Sequence, residues 1–335
     1  MFANDDWLNQ HNEEVIDPTR AIIDPHHHLW PGATMGYDLP QLLADTSDGH
    51  NIVATVFMEC GAAYRKTEPA HLKAVGETEF VAAAAKTAAA TKGASPIAGI
   101  VAHADMRLAE LEEVLEAHET AAKGLLRGIR HGGAHDPHED ALSIKGPAEA
   151  GLFADADFRR GVAGLGARGL VFDSWFFHHQ IDAFRQLAEA APDTILVIDH
   201  FGMPLGVGPY AGKRQEIFDI WQQDIAALAA CPNVYAKLGG LAMPDMGFGW
   251  NTRAHPAGSD ELAAAHAPYY HHTIEQFGPA RCMLESNFPV DRLSISYRCL
   301  WNGLKKIVAD YSEDEKQMMF TGTAKQIYRL EDVAV

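Results

Sequence analysis

The sequence predicts an α/β fold, a (β/α)8 TIM barrel with long loops where the strands end. Short apolar runs alternate with longer helical patterns along the 335 residues, which is typical of a parallel sheet with helical crossovers. Eight such apolar runs can be counted, the number that closes a barrel. A doubly wound open sheet is the competing architecture, but no Gly-x-Gly-x-x-Gly follows the first strand.

The predicted strands are rich in Val, Ile and Leu, as strands covered on both faces are. They are Arg20–Asp24, Asn51–Met58, Pro96–Ala102, Gly124–Arg130, Gly169–Asp173, Thr194–Asp199, Asn233–Leu238 and Arg281–Leu284. The predicted helices, in which Ala, Leu, Glu and Lys favour helix, are Glu77–Thr91, Leu108–Ala122, Gln180–Ala191, Gln215–Ala230, Glu261–Phe277 and Ser296–Ala309. We interpret residues 1–19 as an N-terminal extension and residues 20–335 as one barrel domain.

Composition and charge indicate a globular protein and disfavour several kinds of binding partner. The chain is 47% hydrophobic and 21% charged, which is ordinary for a globular protein. Its net charge of -18 disfavours binding to nucleic acid or to an anionic membrane. The N-terminus lacks the basic start and apolar middle of a secretory signal, and no apolar run is long enough for a membrane span. We therefore expect a cytoplasmic protein whose partner is a small-molecule substrate, with homo-oligomers left open.

The end of the first strand carries the strongest chemical signal, Asp24-Pro25-His26-His27-His28. Because strand side chains alternate between faces, Asp24, His26 and His28 share one face and His27 points to the other. Two imidazoles two residues apart can chelate one metal ion. Neutral imidazole suits zinc, iron, copper and nickel. We predict a divalent metal here, zinc first, with manganese or a metal-free site as alternatives to it. A merely solvated loop is the competing interpretation.

Polar side chains also end other predicted strands, and in a barrel such positions meet at one end. His200 follows the sixth strand and is the predicted third metal ligand, with a core histidine as the alternative. Arg130 ends the fourth strand, and its fixed cation suits a substrate carboxylate or carbonyl, unless it forms a salt bridge. Lys237 ends the seventh strand and is expected either to bind substrate or to pair with Glu59 or Asp173.

Two long segments interrupt the barrel pattern, and both follow strands. They are residues 131–157 and residues 241–258. Long loops in compact domains are commonly lids or binding loops. The second segment is rich in Met and aromatic residues, so we predict that it covers the site and that Trp250 contacts the substrate.

Five motifs occur in a familiar order along the chain. They are Asp24-Pro25-His26-His27-His28-Leu29-Trp30, Gly128-Ile129-Arg130, Asp199-His200-Phe201-Gly202, Lys237-Leu238-Gly239-Gly240 and Ser286-Asn287-Phe288-Pro289-Val290. In these motifs the chain resembles the amidohydrolase superfamily, in the amidohydrolase-2 branch of metal-dependent TIM-barrel hydrolases. That branch includes sugar lactonases and 2-pyrone-4,6-dicarboxylate lactonase. The resemblance covers nearly the whole chain and implies the same barrel.

One motif departs from the family pattern. Members usually have Asp after the last Ser, where it serves as the general base, and this chain has Asn287 in a Ser-Asn-Phe-Pro-Val-Asp subgroup pattern. Because an amide cannot accept a proton at neutral pH, we predict that Asn287 only hydrogen-bonds in the site. A nearby carboxylate must then be the base, with Glu59 the first candidate, followed by Glu285 and Asp291.

The resemblance and the residues together favour a hydrolase of a small carboxylated or aromatic-derived lactone or ester. A metal or a histidine cluster would polarise the carbonyl, and a carboxylate would activate water. Arg130 and Lys237 would stabilise the developing negative charge. The alternatives are a metal-dependent decarboxylase of an aromatic or unsaturated acid, and a non-catalytic ligand-binding relative.

Overall fold

The structure, a computed structural model, describes residues 2–32, 36–67 and 69–334 and is a (β/α)8 barrel. Eight strands of these residues pair in chain order, and every pair is parallel. They are β1 (Ala21–His27), β2 (Asn51–Met58), β3 (Ile97–His103), β4 (Leu126–Arg130), β5 (Val171–Ser174), β6 (Leu196–Ile198), β7 (Val234–Leu238) and β8 (Cys282–Leu284). The His28 amide donates to the Phe288 carbonyl at 2.8 Å, and this contact joins the last strand to the first. The predicted fold is confirmed.

Helices surround the barrel between the strands. They are α1 (Asp5–Leu8), α2 (Leu39–Thr46), α3 (Val75–Ala90), α4 (Leu111–Ala122), α5 (Ala156–Leu165), α6 (Ile181–Ala190), α7 (Arg214–Ala229), α8 (Ser259–Phe277), α9 (Tyr297–Ile307), α10 (Glu313–Gln317) and α11 (Thr323–Ile327). The sequence pattern missed five of these helices, which are α1, α2, α5, α10 and α11. Of these, α2 and α5 begin at side-chain caps, since Asp38 accepts from Leu39 N and Asp155 accepts from Phe158 N. Among the described helices, none is both long and apolar enough to cross a bilayer.

At the end where the strands begin, the barrel interior is filled by apolar side chains and covered by the C-terminal segment. Residues such as Val56, Val101 and Val197 are fully buried and form one cluster with Ile327 and Tyr328. The same cluster is packed against the first residues of several strands, so α11 and the residues after it close the end where the strands begin. Polar chemistry is thereby confined to the opposite end, where the strands stop.

The N-terminal residues are tied to the outside of the barrel. Glu13 accepts hydrogen bonds from the Ser259 backbone and from Asn302 Nδ2, on α8 and α9 respectively. Lys305 Nζ donates to the carbonyls of Ile16 and Asp17, each at 2.8 Å. These contacts fix the chain immediately before β1 begins.

Candidate active site

A cavity of about 390 Å³ opens at the end where the strands stop. Its base, here called the polar floor, consists of His28, Glu59, His103, Arg130, His200 and Asn287. Its sides, here called the apolar wall, consist mainly of Trp30, Tyr64, Ile144, Pro147, Trp175, Met203, Met243 and Val290. This location is where barrels of this kind carry their chemistry, and the size suits a small organic molecule.

His28 and His200 belong to the polar floor, and the fully buried His26 lies against both of them. β1 extends three residues beyond its predicted end, to His27, with an irregular register after Asp24. His26 Nε2 lies 3.2 Å from His28 Nε2, and the ring centroids of His26 and His200 are 4.5 Å apart. The structure thus brings together the three residues that the sequence analysis singled out as metal ligands.

The neighbours of the three rings define which nitrogens carry protons. His28 Nδ1 lies 2.9 Å from the Met58 carbonyl, and His200 Nδ1 lies 2.7 Å from Glu285 Oε1. His26 Nδ1 lies 2.8 Å from Glu285 Oε2. Because these oxygens only accept, each Nδ1 is assigned the proton and each Nε2 keeps a lone pair.

Two of these rings, those of His26 and His28, are held in the neutral form. Burial lowers the pKa of His26 well below its usual value, and the Lys237 ammonium lowers it further. Burial together with the Arg130 guanidinium does the same to the pKa of His28. Neutral imidazole is the form that binds a metal.

The residues of this cluster fit a divalent cation. Two lone pairs that face each other across 3.2 Å repel unless something positive lies near both. That separation is close to the roughly 3.3 Å expected between two nitrogen ligands of one tetrahedral zinc ion. The donor atoms of His26, His200 and Glu285 also lie within 4.8 Å of one another. A carboxylate that holds the second nitrogen of a ligating imidazole is a recurrent feature of metal sites.

The balance of buried charge points the same way. At the polar floor and below it, four carboxylates of the described residues, Glu59, Asp173, Asp199 and Glu285, lie against two fixed cations, Arg130 and Lys237. These six groups leave two negative charges, which a divalent cation would offset.

A glycine makes room for His200. Gly240 has φ +78°, and a Cβ atom on it would lie 2.5 Å from His200 Nδ1. His200 itself has φ +55°, which a histidine adopts only when its surroundings hold it there. The Gly-Gly pair after β7 therefore positions the imidazole that follows β6.

Arg130 is held by protein groups. Its Nε donates to Glu59 Oε1 at 2.9 Å, its Nη1 donates to Asp199 Oδ2 at 3.3 Å, and its Nη2 donates to the Glu59 carbonyl. Burial alone would lower the pKa of Arg130, but Glu59 and Asp199 outweigh it and raise the pKa. Arg130 therefore forms the salt bridges that the sequence analysis gave as the alternative to substrate binding. Its guanidinium nevertheless borders the cavity.

The three candidate bases differ in access to the cavity. The Glu59 side chain is 11% exposed and lines the cavity. Glu285 is fully buried between His26 and His200, and Asp291 is fully buried behind Asn287. Burial raises the pKa of Asp291 to about 7. Of these three carboxylates, Glu59 alone reaches the space where a substrate could sit.

Asn287 makes the kind of contact expected of an amide. Its Nδ2 donates to Asp291 Oδ2 at 2.6 Å, while Asp291 Oδ1 accepts from the Ala242 amide. Asn287 borders the cavity, so the hydrogen-bonding groups of its amide that Asp291 does not use are available to a ligand there. An aspartate at position 287 would place its carboxylate in contact with that of Asp291, and the two negative charges would repel each other. The amide of Asn287 avoids this repulsion.

Lys237 requires a correction. The sequence analysis left two roles open, substrate binding or pairing with an acid, and substrate binding does not hold: Lys237 is fully buried below the polar floor and does not line the cavity. Its ammonium donates to Asp173 Oδ1 at 2.6 Å and lies 3.1 Å from Asp199 Oδ1. The side chain stays in the barrel interior because both acids lie there. Lys237 thus pairs with Asp173, one of the two acids considered for it.

Trp250 also requires a correction. It does not line the cavity, and its indole packs on Phe248 and His266, with centroid distances of 5.1 and 5.0 Å. The aromatic face is buried against α8 because that helix offers an apolar surface. The segment 241–258 reaches the cavity through Met243 instead, so part of the predicted cover is present without Trp250.

Several cavity residues carried no clear sequence signal. His103 ends β3 and its Nδ1 lies 3.1 Å from the Arg130 carbonyl, yet the sequence analysis did not place it in the site. Trp175 directly follows β5, and Tyr64 lies in the loop after β2. Position at a strand end could have indicated His103 and Trp175, whereas nothing local distinguishes Tyr64.

Comparison with known proteins gives consistent results. A family profile described as Amidohydrolase matches residues 23–330. The uncharacterized protein y4mH of Sinorhizobium fredii is 31% identical over 92% of this chain and 99% of its own length. An L-fucono-1,5-lactonase of Burkholderia multivorans is 29% identical over 71% of this chain and 73% of its own length. The crystal structure of a Burkholderia multivorans amidohydrolase with bound zinc has a TM-score of 0.70 and 26% identity, covering 92% of this chain and 99% of that one.

Proposed function

Because this chain belongs to the amidohydrolase family, we propose that it is a hydrolase that opens the ring of a small lactone. One observation carries the proposal: His28, His200 and the Glu59 carboxylate line the floor of a single cavity, and the fully buried His26 lies against both histidines. The similarity to an L-fucono-1,5-lactonase supports a ring ester as the group attacked.

Glu59 would accept the proton of the attacking water. Its carboxylate is accessible from the cavity, and the Arg130 guanidinium orients it through the 2.9 Å hydrogen bond from Nε. As the water oxygen bonds to the carbonyl carbon, the bond from that carbon to the ring oxygen breaks. The ring oxygen takes the proton that Glu59 removed from the water, which restores the Glu59 carboxylate, and the product is a hydroxy acid whose new carboxyl group releases a proton to solvent.

The histidines would bind the carbonyl end of the substrate. His26, His28 and His200 are the residues that would hold a divalent metal, which when bound polarises a carbonyl as a Lewis acid. Glu285 keeps the His26 and His200 rings in orientation, since its two oxygens lie 2.8 and 2.7 Å from their Nδ1 atoms. Asn287 would donate a hydrogen bond to a substrate oxygen at the edge of the floor.

The test is proton release from a panel of γ- and δ-lactones, with and without added zinc, followed by a pH indicator. We expect turnover of at least one lactone, and we expect a His200→Ala variant to lose at least about tenfold in kcat/KM. Release of carbon dioxide from aromatic acids with no lactone opened would instead indicate the decarboxylase alternative. Ligand binding without any turnover would indicate a non-catalytic protein.

A further inference from the structure

We propose that the preferred substrate is an uncharged lactone with an aromatic or alkyl ring system, rather than a polyhydroxylated sugar lactone or a carboxylated lactone. The inference rests on the proposed lactone hydrolysis. It is carried by the chemical contrast between the apolar wall and the polar floor of the cavity.

The apolar wall offers few partners to hydroxyl groups. Ile144, Pro147 and Val290 have no polar side-chain atom, and Met203 and Met243 present only weakly accepting thioether sulfurs. A sugar lactone that enters this space would leave several hydroxyls without hydrogen bonds, which disfavours its binding. A flat ring, by contrast, would bury its apolar surface there.

Two tryptophans favour a planar ring in particular. Trp30 and Trp175 both border the cavity, and each is only partly buried. Aromatic rings attract each other in offset or edge-to-face arrangements beyond the effect of burial alone. The wall therefore suits an aryl group next to the reacting ester.

The polar floor does not favour a carboxylated substrate. The cation that borders the cavity floor, Arg130, is bound through all three nitrogens to Glu59 and Asp199. Lys237 is buried below the floor and paired with Asp173. Glu59 faces the cavity with a negative charge that repels a second carboxylate.

The experiment compares three lactones under the same conditions. They are dihydrocoumarin, dihydrocoumarin-6-carboxylate, which adds only a charge, and L-fucono-1,5-lactone, which exchanges the aryl ring for hydroxyls. We expect kcat/KM for dihydrocoumarin to exceed that for each of the other two by about tenfold or more, with spontaneous hydrolysis subtracted at pH 7.

A variant of the wall tests whether the cavity sets this preference. Met243→Gln keeps the length of the side chain and adds a polar amide, so the ratio of kcat/KM between dihydrocoumarin and the sugar lactone should fall at least threefold. Met318→Gln is the control, because Met318 lies in the helical turn Met318–Gly322 before α11 and does not line the cavity. It should leave the ratio unchanged.

The outcomes separate this inference from the proposed function. An equal or higher kcat/KM for the sugar lactone or for the carboxylated lactone would overturn the inference while lactone hydrolysis stands. If no lactone is opened, the proposed function fails, and the lactam 3,4-dihydroquinolin-2-one is then titrated by tryptophan fluorescence. Tighter binding of this lactam than of its 6-carboxylate supports the inference, and equal or absent binding overturns it.

Discussion

Glu59 combines two properties at one residue, a salt bridge to Arg130 and access to the cavity. Glu59→Gln preserves the shape of the side chain and removes the group that accepts a proton. We expect kcat to fall by about 10²-fold or more, the usual contribution of a general base. Glu59→Asp retains a carboxylate and should recover part of the rate. Full activity in Glu59→Gln would exclude Glu59 as the base.

His28 should contribute to metal affinity, while its neighbour His27 should not. After dialysis against a chelator, we expect the protein to bind Zn²⁺ and His28→Ala to bind it at least about tenfold more weakly. His27→Leu is the matched control, since His27 is equally buried but faces Phe57 on the other side of the strand. Titration calorimetry measures both affinities. Equal zinc affinity in His28→Ala and His27→Leu would contradict the assignment.

At the scale of elements, two loops that build the cavity wall are joined by one carboxylate. Asp245, after β7, accepts from the backbone amides of Ser143 and Ile144, each at 2.8 Å, in the loop after β4. That second loop carries Ile144 and Pro147 of the apolar wall. Asp245 is buried, so these are charge-assisted hydrogen bonds with little competition from water.

Asp245→Ala should therefore loosen the wall more than the reaction centre. We expect KM for a hydrophobic lactone to rise about three- to tenfold, with a smaller change in kcat, because the groups of the polar floor are untouched. Asp140→Ala serves as the control, since Asp140 lies in the same loop but is exposed and pairs only with Lys145. A larger loss in kcat than in KM would assign Asp245 a different role.

Glu13 links the N-terminal segment to α8 and α9 in a pH-dependent way. Burial raises its pKa, but hydrogen bonds from Ser259, His11 and Asn302 outweigh burial and lower the pKa to about 2. Because the pKa is lower in the folded state, the stabilisation is present above about pH 4.5 and is lost as the pH falls toward 2.

The corresponding variant is Glu13→Gln. It should lower the free energy of unfolding by about 1–2 kcal/mol at pH 7, a value reduced for partial exposure to solvent, and the difference should vanish near pH 2. Urea unfolding at several pH values measures it. Glu14→Gln, at the exposed neighbouring position, should have no such effect. A deficit of equal size at pH 2 and pH 7 would contradict the assignment.

Across the whole molecule, a buried polar chain connects the two ends of the barrel. Tyr328, in the C-terminal segment, donates from its hydroxyl to Asp173 Oδ1 at 2.6 Å. Asp173 accepts from Lys237, whose ammonium lies 3.4 Å from His26 Nδ1. Burial raises the pKa of Asp173 to about 6 although Lys237 opposes the rise, so the carboxylate depends on its partners to stay charged.

Tyr328→Phe removes one of those partners. We expect a loss of about 1–3 kcal/mol in the free energy of unfolding, because a buried acceptor is left with fewer donors, and a decrease in kcat/KM of less than tenfold. Tyr311→Phe is the comparison, since its hydrogen bond to His271 is exposed. If Tyr328→Phe and Tyr311→Phe lower the free energy of unfolding by the same amount, the hydrogen bond from Tyr328 to Asp173 contributes no additional stability.

The barrel and the histidine cluster could be predicted because they follow local patterns. Alternating apolar and helical stretches indicated the strands. Strand geometry then predicts that the side chains of His26 and His28 point to the same face. The sequence offered pairing with Asp173 as one of two roles for Lys237 but could not choose between them, because the choice depends on Asp173 and Asp199, which other parts of the barrel bring to it. The contact of Trp250 with His266 depends on how the segment 241–258 folds back onto α8, which a local pattern does not determine. How deep a side chain lies within the barrel depends on its contacts with other strands and helices. Its position at the end of a strand does not determine that depth.

The contact between Tyr328 and Asp173 also sets an order of events during synthesis on the ribosome. Residues 173 and 237 are translated before residue 328, so the nascent barrel has its lysine and its acids in place before their last donor arrives. Until α11 docks, water can reach these charges through the open end. The histidine cluster acquires its final surroundings only after this step, so a nascent chain in which residue 328 has not yet docked does not carry a completed site.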